Sequence, residues 1–308
     1  MKDEYLITKP PEPQYFKKQL GEFELISISD GGLNYPTEMI IGNIPTESFL
    51  QFNFPEKQMF IPYTILLIKT KDTLLLCDVG AGEFGNNGDK FFPGLDHTTS
   101  RTNLVVPSLK TAGIKPEDID MVLITHAHPD HIAGMLDVNG KLLFPNARYF
   151  TAKNEWDYWM SADPSLVEAE ALRKHLEALV YEAKTGFNPI KDRIEFLNEG
   201  EEILPGIRIE ATYGHTPGHI MVSITSEGKI AYNISDLVVH PLFIEHPEWA
   251  PALDMDAAQA DITRRQFYAR AAEENALIFA HHLGPFPNLG WIVKNNGLYQ
   301  WKPVSIDR

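Results

Sequence analysis

The hydrophobic positions divide the chain into two successive groups of short apolar strands, accompanied by amphipathic helices. Apolar runs of strand length predict strands over residues 23–29, 63–70, 73–78, 121–125, 148–151, 208–212, 220–225, 229–234 and 276–280. Helical periodicity predicts helices over residues 103–112, 155–160, 164–184 and 256–275. Two runs of strands with accompanying helices predict an α/β protein in which two sheets pack face to face and helices cover their outer faces.

Glycine and proline positions refine this outline. A turn is expected at residues 30–32, which read Asp-Gly-Gly. The long helix is expected to begin at Pro164, whose missing N–H suits a first helical turn, and to end before Gly186. Because the first residues are polar and contain prolines, we expect residues 1–22 to form an N-terminal extension and residues 23–308 to form a single domain.

Composition and charge exclude several classes of protein. The 308 residues include 27 Lys and Arg against 42 Asp and Glu, a formal net charge of −15. Since no Lys/Arg run exceeds a pair, we expect neither nucleic acid nor an anionic membrane as a partner. The apolar runs are too short to span a membrane, and the single Cys77 excludes an intrachain disulfide framework. The N-terminus has no apolar signal segment, which favours a cytoplasmic location.

The densest chemical signal is the run of residues 126–131, which reads His-Ala-His-Pro-Asp-His and directly follows a predicted strand. At a strand end, residues i and i+2 point the same way, so His126 and His128 can bind one metal ion together. Pro129 permits a helix start that carries Asp130 and His131 to the other side of the turn, where they can bind a second ion. Imidazole and carboxylate donors without a thiolate suit zinc, with manganese, iron and cobalt as alternatives.

Further donor groups stand at the carboxyl ends of other predicted strands. They are His215 and His219 in a Gly-His-Thr-Pro-Gly-His turn, Asp236 after the strand over residues 229–234, and the pair His281 and His282 after the last strand. Strand ends are the usual place for a site in a layered α/β protein. The sequence therefore offers enough donors to complete a metal site.

In their order and strand-end context, these motifs resemble the metallo-β-lactamase superfamily, whose signature is HxHxDH, a GHTPGH-type turn, an Asp and a final His. The resemblance runs from about Phe23 to the C-terminus and implies an αββα sandwich of two mixed sheets. It implies one metal ion on His126, His128 and His215, a second on Asp130, His131 and the last histidine, and Asp236 as the bridge. It also implies supporting roles for His219 and for Asp78, which follows an early strand.

The last ligand has two candidates. Residues 282–290 resemble an H-L-P-F-P-G-L-G element of one hydrolase branch with one extra glycine, which favours His282 and leaves His281 as the alternative. Two bridged divalent cations lower the pKa of a shared water enough to give hydroxide near neutral pH. The resemblance therefore implies metal-assisted hydrolysis in which Asp130 passes a proton to the leaving group.

Departures within the superfamily favour one branch. Asp236 is unlike the Cys or Ser of zinc β-lactamases, His128 is unlike the Glu of flavodiiron proteins, and the net charge disfavours nucleases. Glyoxalase II shares the ligand types but binds an anionic thioester with C-terminal basic residues, which are few here. The stretch over residues 30–36, the approach to HxHxDH and the Pro-Phe-Pro-x-Leu-Gly element resemble N-acyl homoserine lactonases and methyl parathion hydrolase-like enzymes.

This branch implies a small, neutral, lipophilic substrate, with N-acyl homoserine lactones first and related lactones and esters next. Residues 49–60 and 91–93, with Trp156, Trp159 and Phe243, are candidates for an apolar entrance or for core packing. Some lactonases of the branch place a Tyr shortly after the bridging Asp to steady the substrate carbonyl. This chain has none there, and His240 is either a substitute or a structural residue.

Other functions remain as alternatives. They are an organophosphate, aryl ester or thioester hydrolase, and a mononuclear iron persulfide dioxygenase of the same fold. The sequence leaves dimerisation open, with the aromatic residues 33–62 as a candidate surface.

Overall fold

The computed structural model describes residues 11–42, 58–82 and 96–305. Strands β1 to β15 span Tyr15–Leu20, Phe23–Pro36, Gln58–Lys69, Leu74–Cys77, Asp96–Arg101, Met121–Ile124, Arg148–Ala152, Ile194–Leu197, Glu202–Leu204, Ile207–Ala211, Ile220–Ser226, Lys229–Asn233, Leu277–Phe279, Leu289–Asn295 and Leu298–Pro303. Helices α1 to α7 span Thr37–Ile41, Val105–Thr111, Pro129–Ile132, Lys153–Ser161, Glu170–Phe187, Leu242–Glu245 and Ala257–Glu273. None of the described helices is long and apolar enough to cross a membrane.

The described strands form two mixed sheets. The first has the order β1-β2-β3-β4-β6-β7-β8 with β5 paired to β2, and the second has the order β15-β14-β13-β12-β11-β10-β9. The pairs β4–β6, β6–β7 and β7–β8 are parallel, and so is the pair β12–β13. Such pairs require crossover connections, and their carboxyl ends lie at the same edge of a sheet.

Three apolar layers hold the sheets and helices together. The inner faces of the sheets meet in a layer that includes Leu66 and Leu123 from the first sheet and Val222 from the second. Helices α2, α4 and α5 cover the outer face of the first sheet, and α6 and α7 cover that of the second. The predicted αββα sandwich is confirmed.

The turn predicted at residues 30–32 is instead an irregularity inside β2. The register between β2 and β3 shifts between Ser29 and Gly31. The buried carboxylate of Asp30 accepts hydrogen bonds from the backbone N–H groups of Ala81, Leu104 and Val105. A Cβ at Gly31 would lie 1.9 Å from the backbone oxygen of Arg101, so this close approach requires glycine. The Asp-Gly-Gly sequence thus marks a bulge that ties β2 to the start of α2.

The predicted long helix begins and ends later than expected. Pro164 starts a separate 3₁₀ turn, in which the side chain of Asp163 accepts from the N–H of Ser165, and α5 begins at Glu170. Gly186 lies inside the last turn of α5 rather than beyond its end. A Cβ at Gly186 would lie 2.4 Å from Cγ1 of Ile132, so this glycine lets α5 pack against the HxHxDH segment.

Several strands lack a clear signal in the sequence. Strand β1 pairs with β2 from Tyr15 opposite Ile28 to Leu20 opposite Phe23, so part of the expected N-terminal extension widens the first sheet. Strands β14 and β15 form an edge hairpin of the second sheet, beyond the last predicted strand. The domain limits stay a prediction.

Candidate metal centre

The predicted donor side chains come together where the loops after β6, β10, β12 and β13 meet. The structure contains three groups of donors whose ligand atoms lie within 4.8 Å of one another: His126, His128 and His215; His126, His131 and Asp236; and Asp130, His131, His281 and His282. All are buried except Asp130, which is partly exposed. The helix start expected after His128 is confirmed by α3, in which Pro129 is the first residue. Every residue of the predicted ligand set is therefore in one cluster, together with His281.

Asp236 lies at the centre of the cluster. Its Oδ2 is 3.1 Å from Nε2 of His282, 3.3 Å from Nε2 of His215 and 3.8 Å from Nε2 of His126. Its Oδ1 is 3.1 Å from Nε2 of His131. One carboxylate thus faces imidazoles from both implied halves of the metal centre, as a bridging ligand requires.

Several buried donor atoms in the cluster lack a hydrogen-bond partner in the described part of the chain. They are Nε2 of His126, His131 and His281, and Oδ1 of Asp236. A buried polar group without a partner destabilises the folded protein by about 1–3 kcal/mol. These unpaired atoms all belong to the donor cluster. A cation bound in the cluster would satisfy several of these atoms at once, so the donor set fits a divalent metal.

Hydrogen bonds at the opposite ring nitrogen orient three of the imidazoles. Their Nδ1 partners are Oδ2 of Asp78 for His131 at 2.9 Å, Oδ1 of Asp254 for His215 at 3.1 Å, and the carbonyl of Pro62 for His282 at 2.9 Å. In each case Nε2 is left to face the cluster, which is the usual arrangement around metal-binding histidines. His128 differs, because its Nδ1 lies 2.9 Å from Nε2 of His215 and is therefore the atom that faces the cluster.

The charges of the cluster suit a cation. Burial and neighbouring imidazoles lower the pKa of His126 and His128 well below the usual value, so both rings are neutral, the form that binds metal. Burial would raise the pKa of Asp236, but His282 and His131 outweigh it and hold that pKa well below its usual value. The carboxylate is therefore ionised at the centre of the cluster.

Glu155 supports the site and was not predicted from the sequence. Buried on α4, it accepts hydrogen bonds from the N–H of Ala127 at 2.8 Å, from Oγ1 of Thr216 at 2.7 Å and from the N–H of Gly218 at 3.0 Å. It thereby ties the HxHxDH loop to the loop that carries His215. A Cβ at Gly218 would lie 2.1 Å from the backbone nitrogen of Glu155, which explains this glycine. The sequence feature that could have indicated Glu155 is its position one helical turn before Trp159, which is buried.

Asp254 and Arg264 form a second support that the sequence patterns missed. The guanidinium of Arg264 donates to both oxygens of Asp254, at 2.9 and 2.7 Å, and its Nε donates to the carbonyl of Leu237 at 2.6 Å. Arg264 is 1% exposed, so the ion pair is shielded from water. The pair holds Asp254 against His215. An arginine on the buried face of α7 is the signal that could have found it.

A cavity opens beside the donor cluster, with about 540 Å³ of empty space that includes open solvent. Its described lining comprises the donors His128, Asp130, His215, Asp236 and His282 and the residues Tyr35, Ile40, Ile61, Pro129, His175, Leu179, Val239 and Leu253. No lysine or arginine is among these described lining residues. The cavity therefore has largely apolar walls around a polar floor.

The residues predicted for an entrance are distributed differently. Trp159 and Phe243 are buried in the two outer apolar layers, so for them the packing alternative is correct. His240 lines a separate cavity on the other side of His282, where its Nδ1 accepts from the N–H of Leu242. Residues 49–57 and 91–93 lie outside the described residues.

Known proteins are similar to this chain over most of its length. The structure of AidC, a dizinc quorum-quenching lactonase in complex with a product, N-hexanoyl-L-homoserine, has a TM-score of 0.82 and 29% identity and covers 96% of this chain and 99% of its own. The hydrolase AbOPH of the beta lactamase superfamily has a TM-score of 0.83 and 26% identity and covers 97% and 100%. N-acyl homoserine lactonase AiiA of Bacillus thuringiensis subsp. kurstaki is 23% identical over 236 residues, which are 74% of this chain and 84% of AiiA.

A family model gives the most direct assignment. The model of the metallo-beta-lactamase superfamily matches residues 60–238, more than half of the chain. This region contains the HxHxDH segment, His215 and Asp236, the same residues that the fold brings together. The chain therefore belongs to the metallo-beta-lactamase superfamily and is a metal-dependent hydrolase.

Proposed function

We propose that this chain is a dinuclear lactonase that opens N-acyl homoserine lactones or related lactones and esters. The observation that carries the proposal is the position of Asp236, which has donors on both sides and lies beside a cavity with no described lysine or arginine in its lining. Neutral walls suit a neutral ester better than a phosphodiester or an anionic thioester, which need cationic partners. The similarity to AidC and AiiA supports a lactone as the ester.

The geometry of the cluster supports the metal roles that we propose. In the proposal, His126, His128 and His215 would hold one ion, Asp130, His131 and His282 would hold a second, and Asp236 would be available to both. Zinc is the proposed metal because the donors are imidazoles and carboxylates and because AidC is a dizinc protein. When bound, the two cations supply hydroxide near neutral pH and polarise the substrate carbonyl.

We assign the last ligand to His282 rather than His281. Nε2 of His282 lies 3.1 Å from Asp236 and 3.3 Å from Asp130, whereas Nε2 of His281 lies 3.9 Å from Asp130. His282 is also among the residues that line the cavity, and His281 is not among those described. Proximity to both carboxylates favours His282 as a ligand of the second ion.

Asp130 is the proposed catalytic residue. Its carboxylate lines the cavity, and its Oδ2 lies 3.3 Å from Nε2 of His282 and 3.9 Å from Nε2 of His131. Burial would raise the pKa of Asp130, but His131 and His282 outweigh it and lower the pKa, so the carboxylate is ionised. An ionised carboxylate in this position can accept the proton of the attacking water and pass it to the leaving alkoxide oxygen.

A substrate panel on the zinc-loaded protein tests the proposal. A long-chain N-acyl homoserine lactone, an aryl ester, a phosphotriester and a glutathione thioester are compared by kcat/KM. We expect the lactone to be preferred by about tenfold or more over the others, a discrimination that a shaped pocket can supply. A preference for the phosphotriester or the thioester contradicts the proposed substrate class. Oxygen consumption with a persulfide in the iron-loaded protein contradicts the hydrolase itself.

A further inference from the structure

Arg264 is a buried arginine of α7 that contacts residues behind two different donors. Its Nη2 donates to both oxygens of Asp254, and Asp254 in turn accepts from Nδ1 of His215. Its Nε donates to the carbonyl of Leu237, the residue that follows Asp236. In the described part of the chain, Arg264 makes no other hydrogen bond, because its Nη1 has no partner there. One guanidinium therefore connects the loop of His215 with the loop of Asp236.

Helix α7 is fixed against the loop of His215 at its start. The N–H of Asp256, which precedes the helix, donates to the carbonyl of Gly214 at 2.8 Å. A Cβ at Gly214 would lie 2.3 Å from the backbone nitrogen of Ala260, so this glycine lets α7 contact the loop directly. Ala260 and Arg264 are both buried and lie four residues apart, on one face of the helix. Arg264 therefore extends from an element whose position relative to His215 is fixed.

The turn that carries Asp236 depends on contacts from outside it. Ser235 has a φ of 46°, in the left-handed region that residues other than glycine seldom adopt. Such a conformation costs free energy and persists where the surrounding structure holds it. On one side, the N–H of Asp236 donates to Nε2 of His219 at 3.2 Å. On the other side, the carbonyl of Leu237 accepts from Nε of Arg264 at 2.6 Å, so the turn is held at both ends.

The two contacts of Arg264 need a guanidinium rather than a positive charge alone. Its planar group offers donors in fixed directions, which lets it bind a carboxylate and a carbonyl at the same time, whereas a lysine ammonium is a single point of charge. Arg264 is not among the described residues that line the cavity beside the donor cluster. Its effect on the site must therefore pass through Asp254 and Leu237.

We propose that Arg264 is a positioning residue that sets the place of Asp236 relative to His215, by holding the carboxylate of Asp254 and the carbonyl of Leu237 together. This inference rests on the proposed function, in which Asp236 is available to both ions. Loss of Asp254 alone should affect only the ion that His215 would hold. Loss of Arg264 should affect both ions, because it also releases the turn of Asp236.

Three variants and a matched control test the inference. They are Arg264→Lys, Asp254→Asn, the double variant Asp254→Asn with Arg264→Met, and Arg265→Lys as the control, since Arg265 is the exposed neighbour on α7 and pairs with Asp261. The affinities of the metal-free protein for both zinc ions are measured by competition with a chelator. The zinc-loaded protein supplies kcat and KM for the lactone, and denaturant unfolding verifies that each variant is folded.

Arg264→Lys separates charge from positioning. The ammonium preserves the positive charge beside Asp254 but cannot make both contacts, so we expect kcat at saturating zinc to fall by about tenfold. KM should change by less than about threefold, because Arg264 does not line the cavity. Arg265→Lys should match the wild type in every measurement, as expected for a change on the exposed face of the helix.

The double variant tests the link to Asp236 without leaving a buried charge unpaired, which favours folding. Asn at position 254 still offers an acceptor to His215, so the further effect of Arg264→Met reports the lost contact to Leu237. We expect the ion that Asp254→Asn alone leaves unchanged to bind about tenfold more weakly in the double variant, the size typical for residues that orient metal ligands.

Other outcomes overturn the inference or its basis. A folded Arg264→Lys with the kcat and zinc affinities of the wild type shows that charge alone suffices, and overturns the positioning role. If Arg264→Lys does not fold, the double variant decides, and unchanged binding of the other ion overturns the link to Asp236. A wild type that binds two ions without opening the lactone contradicts the proposed substrate, and the zinc affinities still decide the role of Arg264. A wild type that binds one ion overturns both.

Discussion

The two halves of the donor cluster differ in how charge is supplied to them. The half formed by His126, His128 and His215 consists of imidazoles alone, and its nearest carboxylate besides Asp236 is Asp254, which contacts only the far side of His215. The other half contains a carboxylate, Asp130, and the Nδ1 of its His131 is hydrogen-bonded to Asp78. The first half would therefore bind an ion mainly through neutral imidazoles, and the second would bind an ion through imidazoles together with a negatively charged carboxylate.

The pKa directions show this difference for His126 and His128, whereas Asp236 and Asp254 outweigh burial and raise the pKa of His215. Burial lowers the pKa of His126 and His128, whereas for His282 the carboxylates of Asp236 and Asp130 outweigh burial and raise the pKa to about 9. The first half thus depends on the shared Asp236 for its negative charge. It follows that the two ions should respond differently when individual carboxylates are removed.

The largest effect is expected from Asp236→Asn. The amide keeps the shape of the side chain but removes the charge that both ions share, so we expect kcat/KM to fall by about 10³-fold or more. The ion of the imidazole half should be lost first. Metal analysis and lactone hydrolysis check this, with Asp261→Asn on the surface of α7 as the matched control. Retention of two tightly bound ions would contradict the bridging role.

The next effect separates the two neighbouring histidines. His282→Ala should lose the second ion and about 100-fold or more in activity, because a ligand is removed. His281→Ala should retain two ions and lose less than about tenfold, since we assign His281 no bond to the metal. The opposite pattern would make His281 the ligand, and loss of an ion in both variants would make both of them ligands.

A smaller effect is expected from Asp254→Asn. Loss of a carboxylate behind a metal-binding histidine typically weakens metal affinity by about 10- to 100-fold. Here the loss should fall on one ion only, because Asp254 contacts His215 and no donor of the other half among the described residues. Competition with a chromophoric chelator resolves the two affinities. Equal weakening of both ions would show that the halves are not independent.

The smallest effect on chemistry is expected from Glu155→Gln. The new NH₂ group cannot accept, so either the hydrogen bond from the N–H of Gly218 is lost, or those from the N–H of Ala127 and Nε1 of Trp159 are lost; the hydroxyl of Thr216 can turn and accept instead. Each unpaired buried group costs about 1–3 kcal/mol, so the free energy of unfolding should fall by a few kcal/mol. Denaturant unfolding measures this loss, and kcat of the folded, zinc-loaded variant should stay within about threefold of the wild type. A large fall in kcat at unchanged stability would mean that Glu155 takes part in the reaction.

The donor cluster was predictable because its signals are local. Apolar runs identify β6 and β13, and the polar residues that follow a buried strand lie at its end, so His126 and His282 could be placed before any tertiary contact was known. The fold class followed from the same runs. The predicted end of the long helix was wrong because Gly186 permits close packing inside the helix and does not mark a chain reversal.

The supporting residues were not predictable because their partners are distant in the sequence. Asp254 lies 39 residues from His215, and Arg264 lies 27 residues from Leu237. No periodicity marks such pairs, since each depends on how loops and strand ends pack. The bulge at Gly31 was mistaken for a turn because its partner, the backbone of Arg101, comes from a strand that the pattern did not show.

The most direct test is a zinc titration of the metal-free protein in which bound metal and lactone hydrolysis are followed in the same sample. With donors on both sides of Asp236, we predict that activity, measured by proton release, rises mainly with the second equivalent and reaches its maximum at two ions per chain. Chelation should abolish this activity and zinc should restore it. Full activity at one ion per chain, or activity that needs a single iron, would contradict the dinuclear hydrolase.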